Sequence, residues 1–260
     1  MPEFDFHKNT FTRNILERTH HAQEAAIARG EGIEGENNWH TLRIDEKYIM
    51  RVFNLYVRLD HVLEQLQHVS IYLKRFSPAS YYEKENINGL IYTQYHMEVY
   101  IHKIHTVLDL MRLMVNRVYE FNIADENCTW SVLKDYPGIK GSIVESILNS
   151  YWVTFKDIIN GRNLNTHRGW FEDSDIERLS SPLFLIIKNK EYELNIPEFK
   201  EKDIEYSIRH RVQKLRLKRS MEMQSTNKIV YEFINRFYEA INKIFDEHLN
   251  AIHKVLLHED

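Results

Sequence analysis

The chain has 260 residues, of which 43% are hydrophobic and 12% aromatic, enough apolar material for a substantial core. Only 8 glycines and 5 prolines leave little for a turn-rich β protein, so the composition favours helices. The formal net charge of −4 excludes a generally basic nucleic-acid coating protein, and any contact with RNA must use a local patch.

The cysteine count and the first residues restrict the class of protein further. A single cysteine, Cys128, excludes an internal disulfide framework and a cysteine-based zinc site within one chain. The segment MPEFDFHKNT lacks the basic and apolar regions of a secretory signal, and no apolar run approaches the roughly 20 residues that span a bilayer. We therefore expect a cytoplasmic protein with no membrane partner.

Helical periodicity predicts three helices in the first half of the chain. The first runs from Thr10 to Arg29 and precedes a loop over residues 30–40. Asp45 is predicted to cap a second helix that runs to about Phe76. A third helix is predicted over about residues 88–121. Its apolar positions alternate between spacings of four and three, which is typical of bundle packing: Met97, Ile101, Ile104, Leu108, Met111, Val115 and Val118.

The patterns are shorter in the second half. A turn is predicted to begin at Thr129, and a fourth helix to cover about residues 139–160. Ser174 is predicted to cap a short helix, with Glu177 completing a capping box. Residues 188–202 are predicted to form a loop or a small strand pair.

A last helix, or a broken pair of helices, is predicted from Asp203 to His258. One side of its second half carries Ile229, Phe233, Phe237, Ile241, Ile244 and Leu256. The simplest account is one all-α domain over residues 1–260, an up-and-down helical bundle. Its core would cover about residues 43–188, and a C-terminal helical extension about residues 203–258.

The segment GRNLNTHRG, residues 161–169, carries the strongest functional signal. Arg162 is followed directly by Asn163 and, five positions on, by His167. This pattern resembles the R-x(4–6)-H signature of the HEPN superfamily, and within it the little-characterised Cthe_2314-like HEPN proteins. HEPN proteins are all-helical, and many are metal-independent ribonucleases. The alternative is a helix-ending Arg-Asn turn with a surface histidine.

The chemistry of these residue types suits phosphodiester cleavage. A guanidinium stays charged at every working pH and offers a planar fork of donors, whereas imidazole titrates near neutrality. The resemblance implies that Arg162, Asn163 and His167 are catalytic and that no cofactor is needed. It also implies a homodimer with a shared cleft, RNA as substrate, and a role in a toxin–antitoxin pair or in phage defence. An antitoxin would then be a further partner.

Basic residues close to the signature and farther along the chain could bind RNA. Arg168 follows His167 directly, and it would either contact phosphate or pair with nearby acidic residues. The segment RHRVQKLRLKR at 209–219 has the highest density of basic residues, and a solvated helix face is an equally good account of it. Its candidate RNA-binding residues are Arg209, Arg211, Lys214 and Arg216. The segment lacks interleaved aromatic residues, which argues against a stacking platform for single strands.

Histidine and carboxylate side chains share one stripe of the third helix, at Glu98, His102, His105 and Asp109. The stripe could line a catalytic cleft, bind a metal or form a solvated face, and we expect no metal site because HExxH and paired Glu-x-x-His motifs are absent. The predicted function is therefore a metal-independent endoribonuclease. The alternatives are a non-catalytic HEPN-like module that binds nucleotide, RNA or protein, and a metal-dependent helical-bundle enzyme.

Overall fold

The computed structural model describes residues 6–31, 38–75, 82, 84–85, 87–168, 173–192 and 198–259. The backbone of residues 162–168 belongs to this description, whereas their side chains lie outside it. The chain is 85% helical, and the described residues contain no strand, so the all-α prediction is confirmed. A loop or a small strand pair was predicted for residues 188–202. This prediction is wrong for residues 188–192 and 198–202, which are helical.

The described residues form the following helices in chain order. They are α1 (Thr10–Ala28), α2 (Ile44–Arg75), α3 (Gly89–Val118), α4 (Trp130–Leu133), α5 (Ile143–Arg168), α6 (Ser174–Tyr192) and α7 (Glu198–Glu259), with 3-10 turns at Asn38–His40 and Asp125–Asn127.

Two predicted helix caps are wrong, the first by two residues and the second by one. Helix α2 already begins at Ile44, so Asp45 lies in its first turn. Instead, the carboxylate of Glu46 accepts a hydrogen bond from the backbone N–H of Arg43 at 2.9 Å. In a capping box, this is the bond between the side chain of the third helical residue and the backbone of the N-cap residue. Helix α6 is capped by Asp173 and not by Ser174, because Asp173 Oδ1 accepts the backbone N–H groups of residues 175 and 176.

The last two long helices differ from their predicted bounds. Helix α5 begins at Ile143, and it continues through Gly161 to Arg168 where the sequence predicted an end near residue 160. Helix α7 is one continuous element of 62 residues. Phe233, Phe237 and Ile241 of the predicted apolar face are buried, whereas Ile229 is 41% exposed and Val230 is buried in its place.

The chain divides into two compact units, and α2, α3, α5 and α7 each contribute a segment to both. Unit 1 contains residues 65–105 and 155–227, and unit 2 contains residues 2–64, 106–154 and 228–260. Unit 1 therefore holds the C-terminal end of α5, all of α6 and the first half of α7. It also holds the residues of the signature.

Buried hydrogen bonds join three helices within unit 1. Tyr100 of α3 donates its hydroxyl to Asn227 Oδ1 of α7 at 2.7 Å, and Asn227 donates in turn to the carbonyl of Leu66 of α2 at 3.1 Å. Ser220 of α7 donates to the carbonyl of Ser70 of α2 at 2.8 Å. These bonds fix the register of α7 against α2 and α3, because a slip would leave the buried polar groups unsatisfied.

Unit 2 is built around aromatic side chains. Phe11 of α1 packs against Tyr238 and Phe245 of α7, with ring centroids 5.2 and 5.9 Å apart. Tyr48 of α2 stacks on Phe245 and donates its hydroxyl to the carbonyl of Val118 at 2.9 Å. Asn9 caps α1 by accepting the backbone N–H groups of residues 11 and 12, so the start of α1 is fixed beside this core.

Candidate functional site

The signature residues lie on the last two turns of α5. Arg162, Asn163 and His167 are all helical, and Asn163 and His167 are separated by one helical turn. The alternative interpretation, that Arg162 and Asn163 form a helix-ending turn, is therefore wrong, because the backbone stays helical as far as Arg168. The side chains of these residues, and that of Arg168, lie outside the described residues.

An exposed groove rich in cations runs between α6 and α7 in unit 1. We call it the cationic groove; it has a volume of about 290 Å³ and is lined by Asp175, Arg178, Leu179, Arg211, Lys214, Leu215 and Lys218. The side chains of Arg178, Arg211, Lys214 and Lys218 are exposed, whereas Leu179 and Leu215 form its buried floor. Four cations against a single carboxylate make this groove suited to a polyanion.

Ion pairs hold one end of the cationic groove in place. Arg219 Nη2 donates to Asp173 Oδ2 at 2.7 Å and to Asp175 Oδ2 at 3.2 Å, and Lys218 Nζ donates to the same Asp175 oxygen at 3.0 Å. The bond from Lys218, assisted by its charge, lowers the pKa of Asp175. Asp175 therefore stays ionised and pairs with Lys218, while Arg178, Arg211 and Lys214 supply the rest of the charge.

Only part of the predicted basic segment reaches this surface. Arg211 and Lys214 line the cationic groove, and Arg209 is exposed on the same helix outside its lining. Arg216 is buried, with 8% exposure, on the side of α7 that carries Ser220, so it is not available to a phosphate in the groove. The prediction that Arg216 belongs to an RNA-binding surface is therefore wrong, because its side chain is buried.

The groove contains two cations that were not among the candidate residues of the sequence. Lys218 could have been found, because Arg211, Lys214 and Lys218 follow spacings of three and four, which place them on one helical face. No comparable signal marked Arg178, since α6 brings it to the groove through tertiary packing.

The predicted stripe on α3 is half-buried along its length. Glu98 accepts a hydrogen bond from Gln94 at 3.1 Å, and Asp109 forms an ion pair with Arg112. Glu98, His102 and His105 belong to unit 1, whereas Asp109 belongs to unit 2. Across the residues that the structure describes, no group of three or more histidine, cysteine or carboxylate side chains is arranged to hold a metal ion.

A second, smaller cavity of about 170 Å³ lies in unit 2 beside the start of α2. His253 Nε2 and Asp45 Oδ2 are 3.1 Å apart at its wall, and Arg43 lies 3.6 Å from the other oxygen of Asp45. Arg29 binds the buried Glu46 at 2.7 Å in the same region. Opposite charges pair at this site, so it lacks the net positive charge of the cationic groove.

Comparisons with protein-family models, with curated proteins and with solved structures found no match. Among the described residues, no helix combines the length and the apolar character needed to cross a bilayer.

Proposed function

We propose that the protein is a metal-independent endoribonuclease of the HEPN type. One observation carries the proposal: the helix end that bears Arg162, Asn163 and His167 belongs to the same compact unit as the exposed cationic groove. Residues suited to the chemistry and a surface suited to the phosphate backbone thus occur together in unit 1. The all-α fold agrees with the resemblance of the signature.

The proposed reaction needs only groups that this chain carries. The ribose 2′-hydroxyl attacks the adjacent phosphorus while His167 moves a proton as general base or general acid. Arg162 stabilises the negative charge that accumulates on the phosphoryl oxygens, and Asn163 orients the site or binds phosphate. The 5′ oxygen of the next nucleotide leaves with a proton. The products are a 2′,3′-cyclic phosphate and a 5′-hydroxyl.

The active form proposed is a homodimer. Each chain carries one Arg-Asn-x-x-x-His, and two copies related by a two-fold axis would assemble the shared cleft that the resemblance implies. The cationic groove would hold phosphates flanking the one that reacts, because charge contacts position a nucleic acid without reading its sequence. A toxin–antitoxin pair or a phage-defence system is the proposed biological setting, with RNA as substrate and an antitoxin as a protein partner.

End-group analysis tests the proposed chemistry directly. RNA is incubated with purified protein in EDTA, and the new ends are identified by mass spectrometry and by labelling with polynucleotide kinase. The proposal expects 2′,3′-cyclic phosphate and 5′-hydroxyl ends. Fragments with 5′-phosphate and 3′-hydroxyl ends would overturn it, since water-attacking, metal-assisted nucleases commonly leave those ends. RNA that is bound but not cut would favour the non-catalytic binding module.

A further inference from the structure

Exposed apolar side chains continue the cationic groove of unit 1 along both of its helices. Leu185 of α6 is 56% exposed, and Ile204 and Met221 of α7 are 41% and 62% exposed. Each lies seven residues, about two helical turns, from a cation that lines the groove, and therefore on the same helical face as that cation. The pairs are Leu185 with Arg178, Ile204 with Arg211, and Met221 with Lys214. This face of α6 and α7 thus combines positive charge with exposed apolar side chains.

The direction of the two helices places these apolar side chains at opposite ends of the cationic groove. Asp175, near the start of α6, pairs with Lys218, whereas the end of α6 and the start of α7 are neighbours in the chain. The two helices are therefore antiparallel along the groove, with Leu185 and Ile204 beyond one end and Met221 beyond the other. Seventeen positions separate Ile204 from Met221, which corresponds to about 26 Å along a helix.

Carboxylates do not neutralise this face. Among the described residues that line the groove, Asp175 is the one carboxylate, and it pairs with Lys218 at 3.0 Å. Carboxylates that neighbour the face in sequence include Glu177, Asp203 and Glu222. Glu222 accepts a hydrogen bond from Arg219 at 2.7 Å, and the other two are each one residue from the face, which places them about 100° away around the helix. The face therefore keeps a net positive charge.

We propose that the cationic groove, together with these three apolar side chains, docks an acidic amphipathic helix of about 17 residues from a protein partner. Apolar side chains of that helix cover Leu185, Ile204 and Met221, and its carboxylates face the cations. The inference rests on the proposed function, since it names the chemistry of the antitoxin partner and the surface that this partner covers. A bound partner occupies the cations that would hold RNA phosphates, so partner and RNA exclude each other.

Charge and apolar character together favour a helix of this kind. A phosphate backbone complements the cations but leaves the exposed apolar side chains in water, and the described lining of the groove includes no aromatic side chain on which a base could stack. A helix with apolar residues at spacings of three and four and with acidic flanks complements both features. A groove between two antiparallel helices also accepts a third helix, as in helical bundles. Both anions fit the cations, but only the acidic helix uses the whole face.

Docking is tested by fluorescence anisotropy with a labelled synthetic peptide of about 18 residues. Its leucines repeat at spacings of three and four, glutamates flank them, and alanines on the far side favour the helix. One control peptide has glutamine in place of every glutamate, and the other has the same composition with its leucines distributed around the helix. Labelled 2′-O-methyl oligoadenylate has no 2′-hydroxyl, so the proposed mechanism cannot cut it, and it reports RNA binding by the same method.

The protein variants separate docking of the peptide from binding of RNA. Leu185→Ser, Ile204→Ser and Met221→Ser together should weaken peptide binding by about fivefold or more, because docking covers the exposed part of each side chain. Binding of oligoadenylate should stay unchanged in this triple variant, whereas Lys214→Glu should weaken the binding of both. Val153→Ser is the matched control, since Val153 is 62% exposed, as Met221 is, and lies in unit 2. Circular dichroism checks that each variant is folded.

The native chain should bind the acidic amphipathic peptide more tightly than either control peptide, and this peptide should displace oligoadenylate. Equal affinity for the three peptides, equal losses of peptide and RNA binding in the triple serine variant, or a bound peptide that leaves oligoadenylate in place would each overturn the inference. If the peptide docks as expected but the native chain leaves unmodified RNA uncut in EDTA, the proposed catalysis fails and the docking surface stands. Cleavage in EDTA without docking of the peptide gives the reverse result.

Discussion

Asp173 and Arg219 connect the first turn of α6 to the middle of α7. Asp173 Oδ2 accepts from Arg219 Nη2 at 2.7 Å, while its other carboxylate oxygen caps α6. Asp173 has only 6% of its side chain exposed and Arg219 only 19%, so the pair is shielded from solvent. This contact fixes the relative position of the two helices that form the cationic groove.

Asp173→Ala should lower the free energy of unfolding by about 1–3 kcal/mol, because it removes a helix cap and the most buried of the three carboxylates that pair with Arg219, which keeps Asp175 and Glu222. Asp173→Asn keeps an oxygen for the cap and should lose less. Urea denaturation followed by circular dichroism measures both. Asp125→Ala is the control, since it breaks an exposed ion pair with Arg117 and should change stability by at most about 1 kcal/mol. Equal losses in all three variants would contradict this account of the contact.

Gly161→Ala should stabilise the protein by about 0.5–1 kcal/mol. Gly161 lies inside α5, and an added Cβ meets no atom of the described residues within 4 Å, so alanine should gain helix propensity without a clash there. Gly138→Ala should have the opposite sign, because Gly138 has a φ of 88° in a turn. Thermal melts of the two variants separate these signs. A loss of stability in Gly161→Ala would indicate that α5 does not continue through the signature.

Arg211→Glu combined with Lys214→Glu should weaken binding of single-stranded RNA and reduce its salt dependence. Loss of two phosphate contacts should lower the slope of log affinity against log salt by about 1.4. Arg13→Glu combined with Lys254→Glu makes the same change of charge on exposed residues of unit 2 and serves as control. Anisotropy titrations over a range of salt concentrations measure the slopes. Equal effects of the two pairs would indicate a general effect of net charge and no specific groove.

His96 should make the protein less stable in mild acid. Because burial lowers its folded-state pKa, the unfolded chain takes up the proton first as the pH falls below about 6.5. Stability from this source is complete above that pH and is lost on acidification. His96→Gln should therefore lose less stability than the native chain between about pH 7.5 and 5.5. Urea midpoints test this, with the exposed His20→Gln as control; identical pH dependence in His96→Gln and the native chain would contradict it.

The sequence predicts the helices well where one face is apolar and a terminator is present. Gly30 ends α1 and an apolar seam marks α3 within a few residues of the structure. The end of α5 was predicted too early. The prediction placed it just before Gly161, whereas the helix continues through this glycine to Arg168. On α7, Phe233, Phe237 and Ile241 are buried as predicted, but Val230 takes the place of Ile229 in the core, since the two side chains are similarly apolar and only packing distinguishes them.

The candidate surfaces were predictable only in part. Arg211 and Lys214 were named from charge density alone, but the same criterion included Arg216, which α7 turns toward the opposite side. Tertiary packing adds Arg178 from α6 to the cationic groove.

The most direct test of the central claim is to measure cleavage of RNA in EDTA. The proteins compared are the native chain and the variants Arg162→Ala and His167→Ala, singly and together. Arg13→Ala and His20→Ala remove an exposed arginine and an exposed histidine from unit 2 and are the matched controls. The account predicts that the native chain and both controls cut RNA without metal. Each signature variant should lose about 10²-fold or more of that activity and keep its circular dichroism spectrum. Cleavage that persists in the double variant, or that requires an added divalent metal, would contradict the claim.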